Sequence, residues 1–209
     1  MREYTSYKKG LIPTIVDEAS RNFLYKGIRS VKMDDISRSL HISKRTLYEL
    51  YSNKEALLVE VVKSIMSERI EHIRNFAEKT DNVMDILIEV MRLQIEAAAR
   101  NNPAFYRDLK NYPQAEQLFK DYYEKQKSYS VEFFSKGVEE GYFISGVDFM
   151  LITVILRDIV DNVLTSEKYK DITYEQLFRN FLYVTIRGFC TAKGIEKLEV
   201  FYKQELANL

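Results

Sequence analysis

Ser43-Lys44-Arg45-Thr46, followed by Tyr48 and then Lys54, crowds ammonium, guanidinium and hydroxyl groups into a short span of the chain. These are hydrogen-bond donors of the kind that phosphate oxygens and the acceptor-rich edges of bases take up. If the span is helical, positions 44, 45, 46 and 48 point outward while Leu47 turns inward, so one face binds and the other packs. The pattern predicts recognition of a polyanion. Lys44 and Thr46 are candidates for base-edge or near-base contacts and Tyr48 and Lys54 for phosphate. Arg45 can serve either role, and Ser43 joins the set at the helix start.

The elements that must position these groups are legible from spacing. Met33, Ile36 and Leu40 fall on one helical face, Ile42 follows a break, and Leu47, Leu50 and Tyr51 resume the apolar stripe. Two short helices therefore share one core. Ser43 is a good N-cap, because its hydroxyl can accept a bond from a backbone N–H that the first helical turn leaves unpaired. A third helix follows, with Ser52 and Glu55 at capping-box spacing and Asn53 an equally suitable cap. Lys54 then stands at a helix N-terminus, where the macrodipole disfavours a cation, a placement that makes sense if a phosphate docks there.

The stretch from Ile36-Ser37 through Ser43-Lys-Arg-Thr-Leu-Tyr48 to Asn53-Lys-Glu-Ala-Leu57 resembles the DNA-binding domain of the tetracycline-repressor (TetR) family of bacterial transcription regulators. The resemblance covers the first quarter to third of the chain. It implies an all-α fold with an N-terminal three-helix helix-turn-helix domain and a C-terminal helical bundle for effector binding and dimerisation. It also implies a regulator, most simply a repressor, that binds a palindromic double-stranded DNA operator as a homodimer. The chain departs from the family pattern at several places. Ser37 stands where Ala is usual, His41 where the turn usually has Gly, Lys32 where Ser or Thr usually caps, Tyr51 in place of Phe, and Leu50 in place of a more polar residue. His41 is expected to adopt a positive φ, which His tolerates better than most non-glycine residues.

Charge and composition fit that reading. The net charge is zero over 209 residues, yet residues 1–54 hold eleven Lys and Arg against six Asp and Glu, a surplus of +5 balanced by −5 beyond. A basic head on an acidic body is what one phosphate-facing end requires. With seven Gly, three Pro and no period-2 strand pattern, helices should account for almost everything. We expect them over 11–25, ending before Gly27, then 54–79, 82–100, 103–110, 114–140, 147–166 and 173–192. The expected organisation is a DNA-binding domain over 1–54, a connecting helix over 54–79, and an effector and dimerisation domain over 80–209.

Other chemistry is poorly supported. The only histidines are His41, in the turn, and His72, on a charged stretch; Arg69 precludes a Glu-x-x-His di-iron pair, and the glycines do not form a phosphate loop. Neither an enzyme nor a metal or other cofactor is expected. The single Cys190 has no intramolecular disulfide partner, no signal segment is evident, and the most apolar stretch, 149–164, is interrupted by Arg157, Asp158 and Asp161. A soluble cytoplasmic protein without membrane contact is the expectation.

Two apolar faces, Ile152, Ile155, Leu156, Ile159 and Val163, and later Leu177, Phe178, Phe181, Val184 and Phe189, could pair two subunits, as the resembled family implies. Periodicity alone does not separate burial within a chain from burial between chains. The aromatic-rich middle, with Phe105, Tyr122, Tyr129 and Phe133 as candidates, would suit an apolar or aromatic small-molecule effector if the family's pocket is present. The rival reading is a helical ligand-binding or adaptor protein that has lost DNA recognition.

Overall fold

The computed structural model describes residues 6–206, with side chains at 126–128 and 205–206 left undescribed. Arg2 and Glu3 of the charge tally lie outside the described residues. The elements are helical: α1 Ser6–Lys26, α2 Met33–Ser39, α3 Lys44–Leu50, α4 Lys54–Ala77, α5 Val83–Arg100, α6 Ala104–Leu109, α7 Pro113–Glu139, α8 Phe149–Thr165, α9 Tyr174–Leu177, α10 Tyr183–Gly188 and α11 Ala192–Phe201. Short 3₁₀ and π turns join or extend the later ones, and a single antiparallel bridge, Phe143 to Cys190, is the only extended pairing among the described residues.

The chain forms two compact units. The first comprises the residues up to Arg69 together with Arg100–Tyr122, and the second comprises Ile70–Ala99 together with Tyr123–Leu209. The grouping of 100–122 with the amino-terminal segment differs from a boundary drawn at the end of the connecting helix. Its cause is packing: Phe105 and Leu109 of α6 and Ala115 of α7 are buried in the same core as Ile15, Ala19, Phe23, Ile28, Ile36, Leu47 and Leu57. Backbone bonds reinforce it, Asn102 N–H donating to Leu24 O at 2.7 Å.

In the first unit, α1 begins at Ser6, earlier than the sequence suggests, and places Pro13 inside the helix. The additional turn is anchored by Lys8, whose ammonium donates to Glu49 on α3 at 2.6 Å. At its other end α1 stops at Gly27, which has φ +81° and donates its N–H to Phe23 O. That left-handed C-cap is the one the sequence predicts.

The second unit is built on α5 and the aromatic cluster of Phe134, Phe143, Phe149 and Phe189. Phe134 stacks on Phe149 at 4.6 Å between centroids, and Phe143 and Phe189 meet edge to face at 5.6 Å. The expected helix over 173–192 is instead interrupted by a π turn, ends at Gly188, and is followed by a separate helix, α11. Thr191 makes the break. Its hydroxyl donates to Gly141 O at 2.6 Å and accepts from Gly194 N–H, capping α11, while its own N–H donates to Tyr142 O. Lys197 of α11 reaches Asp85 in the first turn of α5 at 2.6 Å. Burial raises the Asp85 pKa, but hydrogen bonds from Lys197 and Asn82 outweigh it and hold the carboxyl below its ordinary value. The resulting stabilisation is complete above that ordinary value and disappears as pH falls through the lowered one.

Gly194 lies so close to Tyr142 that a Cβ there would collide with the backbone carbonyl oxygen. Gly194→Ala is therefore expected to lower stability by about 1–3 kcal/mol despite the better helix propensity of Ala. Thermal unfolding followed by circular dichroism measures it; an unchanged or raised midpoint would show that α11 shifts freely.

Candidate nucleic-acid interface

The interface grows from two helices too short to stand alone. α2 exposes its polar face and buries Met33, Ile36 and Ser37, and α3 buries Leu47 completely. Leu40, Ile42 and Leu50 pack partly buried against the same core, and Tyr51 is buried, as the periodicity predicts. Ser37 suits its buried position, since it is small and its hydroxyl donates to Asp34 O at 3.0 Å. The turn is closed by His41 at φ +53°, with Ile42 N–H donating to Ser37 O at 3.0 Å. Histidine thus occupies the left-handed position without glycine.

Ser43 is the N-cap of α3, its Oγ accepting from Thr46 N–H at 3.0 Å. The Ser43 and Thr46 hydroxyls also share a bond at 2.8 Å. Lys44, Arg45 and Tyr48 are exposed and Thr46 is half-exposed, so the candidate donors occupy the outward face opposite Leu47. Lys32, the N-cap residue of α2, supplies no side-chain cap bond, but Asp35 accepts the Lys32 N–H at 3.0 Å.

Carboxylates that spacing did not single out accompany the cations. Lys44 is paired with Asp34 of α2. Arg45 Nε donates to Glu49 Oε1 at 3.0 Å, while Lys8 holds the other oxygen. Lys8 and then Arg45 keep the Glu49 carboxyl below its ordinary value, so both pairs persist until pH drops through that lowered range. The i,i+4 spacing of Arg45 and Glu49 was a readable signal; the partners brought by α1 and α2 were not.

Lys54 differs from its expected role. Its ammonium turns inward and donates to Ile28 O at 2.8 Å and Val31 O at 2.9 Å, and it lies 5.8 Å from the centre of the Tyr112 ring. Two of its three protons thus serve the loop between α1 and α2, which explains a cation at a helix N-terminus without a bound phosphate. Asn53, not Ser52, caps α4, accepting from Ala56 N–H at 2.8 Å. Glu55 instead accepts from Gln114 N–H at 2.9 Å, placing a carboxylate at the start of α7. Asp108 of α6 completes the set by accepting the Arg29 N–H at 2.8 Å.

The aromatic candidates for an effector site fall into different units. Phe105 is buried in the first core with Tyr122 packed against it, Phe133 packs on the second core, and Tyr129 is 66% exposed. His72, on the charged stretch of α4, is half-exposed, and its Nε2 lies 2.7 Å from Oε1 of the buried Glu89. Burial pushes the Cys190 thiol up to about 11, which leaves it protonated and unreactive at neutral pH.

A basic, capped helix-turn-helix on a three-helix head is the signature of a DNA-binding regulator. Comparison with known proteins agrees. Residues 15–61 match the family described as bacterial regulatory proteins, tetR family. The HTH-type transcriptional repressor KstR2 of Mycobacterium tuberculosis is 22% identical over 191 residues, covering 87% of this chain and 93% of that protein. Among solved structures, a TetR-family transcriptional regulator from Agrobacterium tumefaciens superposes with a TM-score of 0.69 at 12% identity, covering 88% of this chain and all of the other. The ketosteroid transcriptional regulator KstR2 of Mycobacterium tuberculosis does so with a TM-score of 0.57 at 21% identity, covering 90% and 97%. Residues 15–61 thus match the TetR family of bacterial regulatory proteins, and the likeness along the rest of the chain is one of fold. Among the described residues no helix is long and apolar enough to cross a membrane.

Lys54→Met keeps the stem and removes both carbonyl bonds, so it is expected to destabilise the head by about 1–3 kcal/mol. The salt dependence of DNA binding should stay the same. A slope flatter by about one unit, with stability unchanged, would return Lys54 to the phosphate contacts.

Proposed function

We propose that this chain is a ligand-responsive repressor that binds a palindromic DNA operator as a homodimer. The observation that carries the reading is the orientation of α3, which sends Lys44, Arg45, Thr46 and Tyr48 outward while Leu47 is fully buried. Lys44 and Thr46 reach base edges or near them, Tyr48 grips phosphate, and Arg45 serves either. The repressing sign is supported by KstR2, which its name describes as a transcriptional repressor. A gel-shift with the chain's own upstream region tests the reading directly. A discrete complex supports it, whereas no complex even in dilute buffer favours a helical binding protein that has lost DNA recognition. Arg45→Ala is expected to relax discrimination among operator variants, by about 1–3 kcal/mol where it reads a base; equal discrimination would confine it to phosphate.

A dimer supplies the second reading helix that a palindrome requires. α8 is the support for it: though strongly apolar, it buries no residue within its own chain, and Leu151 and Ile155 are 55% and 48% exposed. Val184 of α10 is also 58% exposed, whereas Leu177, Phe178 and Phe189 of the expected second face are buried in the chain's own core. A second copy covering α8 and Val184 accounts for this exposure. Ile155→Lys is expected to give a monomer by analytical ultracentrifugation and to weaken operator binding strongly; a persistent dimer would place the interface elsewhere.

The effector in this reading is an apolar or aromatic small molecule taken up by the helical segment over 80–209, whose aromatic side chains, Phe105, Tyr122, Tyr129 and Phe133 among them, suit such a ligand. α4 contributes residues to both units, so a shift of α4 on effector binding would change operator affinity through a coupling of about 1–3 kcal/mol.

A further inference from the structure

Two of the donors that α3 offers to DNA are already occupied by acids of the head itself. Lys44 is paired with Asp34, and Arg45 donates to Glu49, which Lys8 also holds. The geometry points to Asp34 and Glu49 as specificity-determining residues, whose carboxylates stand in for phosphate and suppress binding to duplexes of the wrong sequence. This inference rests on the DNA-binding reading above and adds a role for acids rather than cations.

Charge and place both favour that role. All five side chains belong to α1, α2 and α3, and the reading cations are the exposed members, Lys44 at 62% and Arg45 at 88%, against 36% for Asp34 and 35% for Glu49. A duplex approaching α3 meets cations whose charge is locally cancelled, and its phosphates come within a few ångströms of fixed negative oxygens. Every sequence suffers that repulsion equally. Only a sequence whose base edges offer acceptors to Lys44, Arg45 and Thr46 recovers what is lost when the pairs open. Phosphate attraction is indifferent to sequence, so weakening it widens the gap between operator and random DNA.

The two acids also divide the work in a way that separates specificity from architecture. Glu49 ties α1 to α3 through Lys8 and therefore helps orient the reading helix. Asp34 holds Lys44. Asp34→Asn consequently tests the role with little demand on the fold, and Glu49→Gln tests it where an acid also has a structural partner.

The experiment is fluorescence-anisotropy titration of the full chain and both variants against its operator and a random-sequence duplex, over a series of salt concentrations. Circular dichroism checks that each variant is folded. Asp34→Asn is expected to bind random duplex about five- to tenfold more tightly, with a salt dependence steeper by about one unit as the freed cation engages phosphate. Its gain on operator should be smaller, so discrimination falls. Folded Glu49→Gln should behave alike. Unchanged random-duplex affinity and slope in Asp34→Asn would overturn the proposal while leaving the DNA-binding reading intact. Loss of operator binding alone would overturn it too, by making the acid a base reader. The DNA-binding reading itself would fail in a separate way, with the unaltered chain showing no salt-dependent binding to either duplex.

Discussion

A seven-residue helix cannot hold itself together in water, and α3 is a seven-residue helix. Its existence depends on Leu47, which is fully buried in a core formed by α1, α2, α4 and α6. That one apolar anchor, with the Ser43 cap at its start and the His41 turn before it, fixes which face looks outward. Everything functional about the head follows from this orientation. Rotate α3 so that Leu47 faces solvent and the donors would point into the core, where unpaired charges are costly.

Around this anchor, polar side chains are spent on backbone groups that helix ends and tight loops would otherwise leave unpaired. Lys54 satisfies two carbonyls of the loop between α1 and α2, Asp108 takes an N–H of the same loop, and Glu55 takes one at the start of α7. Each bond joins residues distant in sequence. Those of Asp108 and Glu55 add to the apolar packing that groups 100–122 with the head. The loop they hold precedes α2, so its rigidity is also a condition for the helix-turn-helix to keep its shape.

What the sequence made legible was local. The apolar stripe over 33–51, the serine cap, the left-handed histidine and the glycine after α1 each rest on residues within a turn or two of one another, where propensity and periodicity operate. The direction of Lys54 was not legible, because its partners lie 23 and 26 residues away and a cation at a helix start is ambiguous without them. The choice of Asn53 over Ser52 as cap was open for a similar reason, with Glu55 engaged by a distant helix. α11 could have been anticipated from Thr191 as a cap ahead of Ala192, but the break before it depends on bonds from Thr191 to Gly141 and Tyr142 that only the folded chain brings together. The aromatic candidates illustrate the same limit: composition flagged Phe105 and Phe133 alike, and packing sent them to different cores.

If α3 reads sequence from two symmetry-related positions, the full-length chain should choose its own target from a fully random library of duplexes. Repeated selection and sequencing of the bound fraction is the most direct measurement, since no operator has to be assumed. Enrichment of two inverted half-sites with a fixed spacing of one or a few helical turns is the expected result. A pool that stays random, or that converges on a single half-site with no inverted partner, would contradict it.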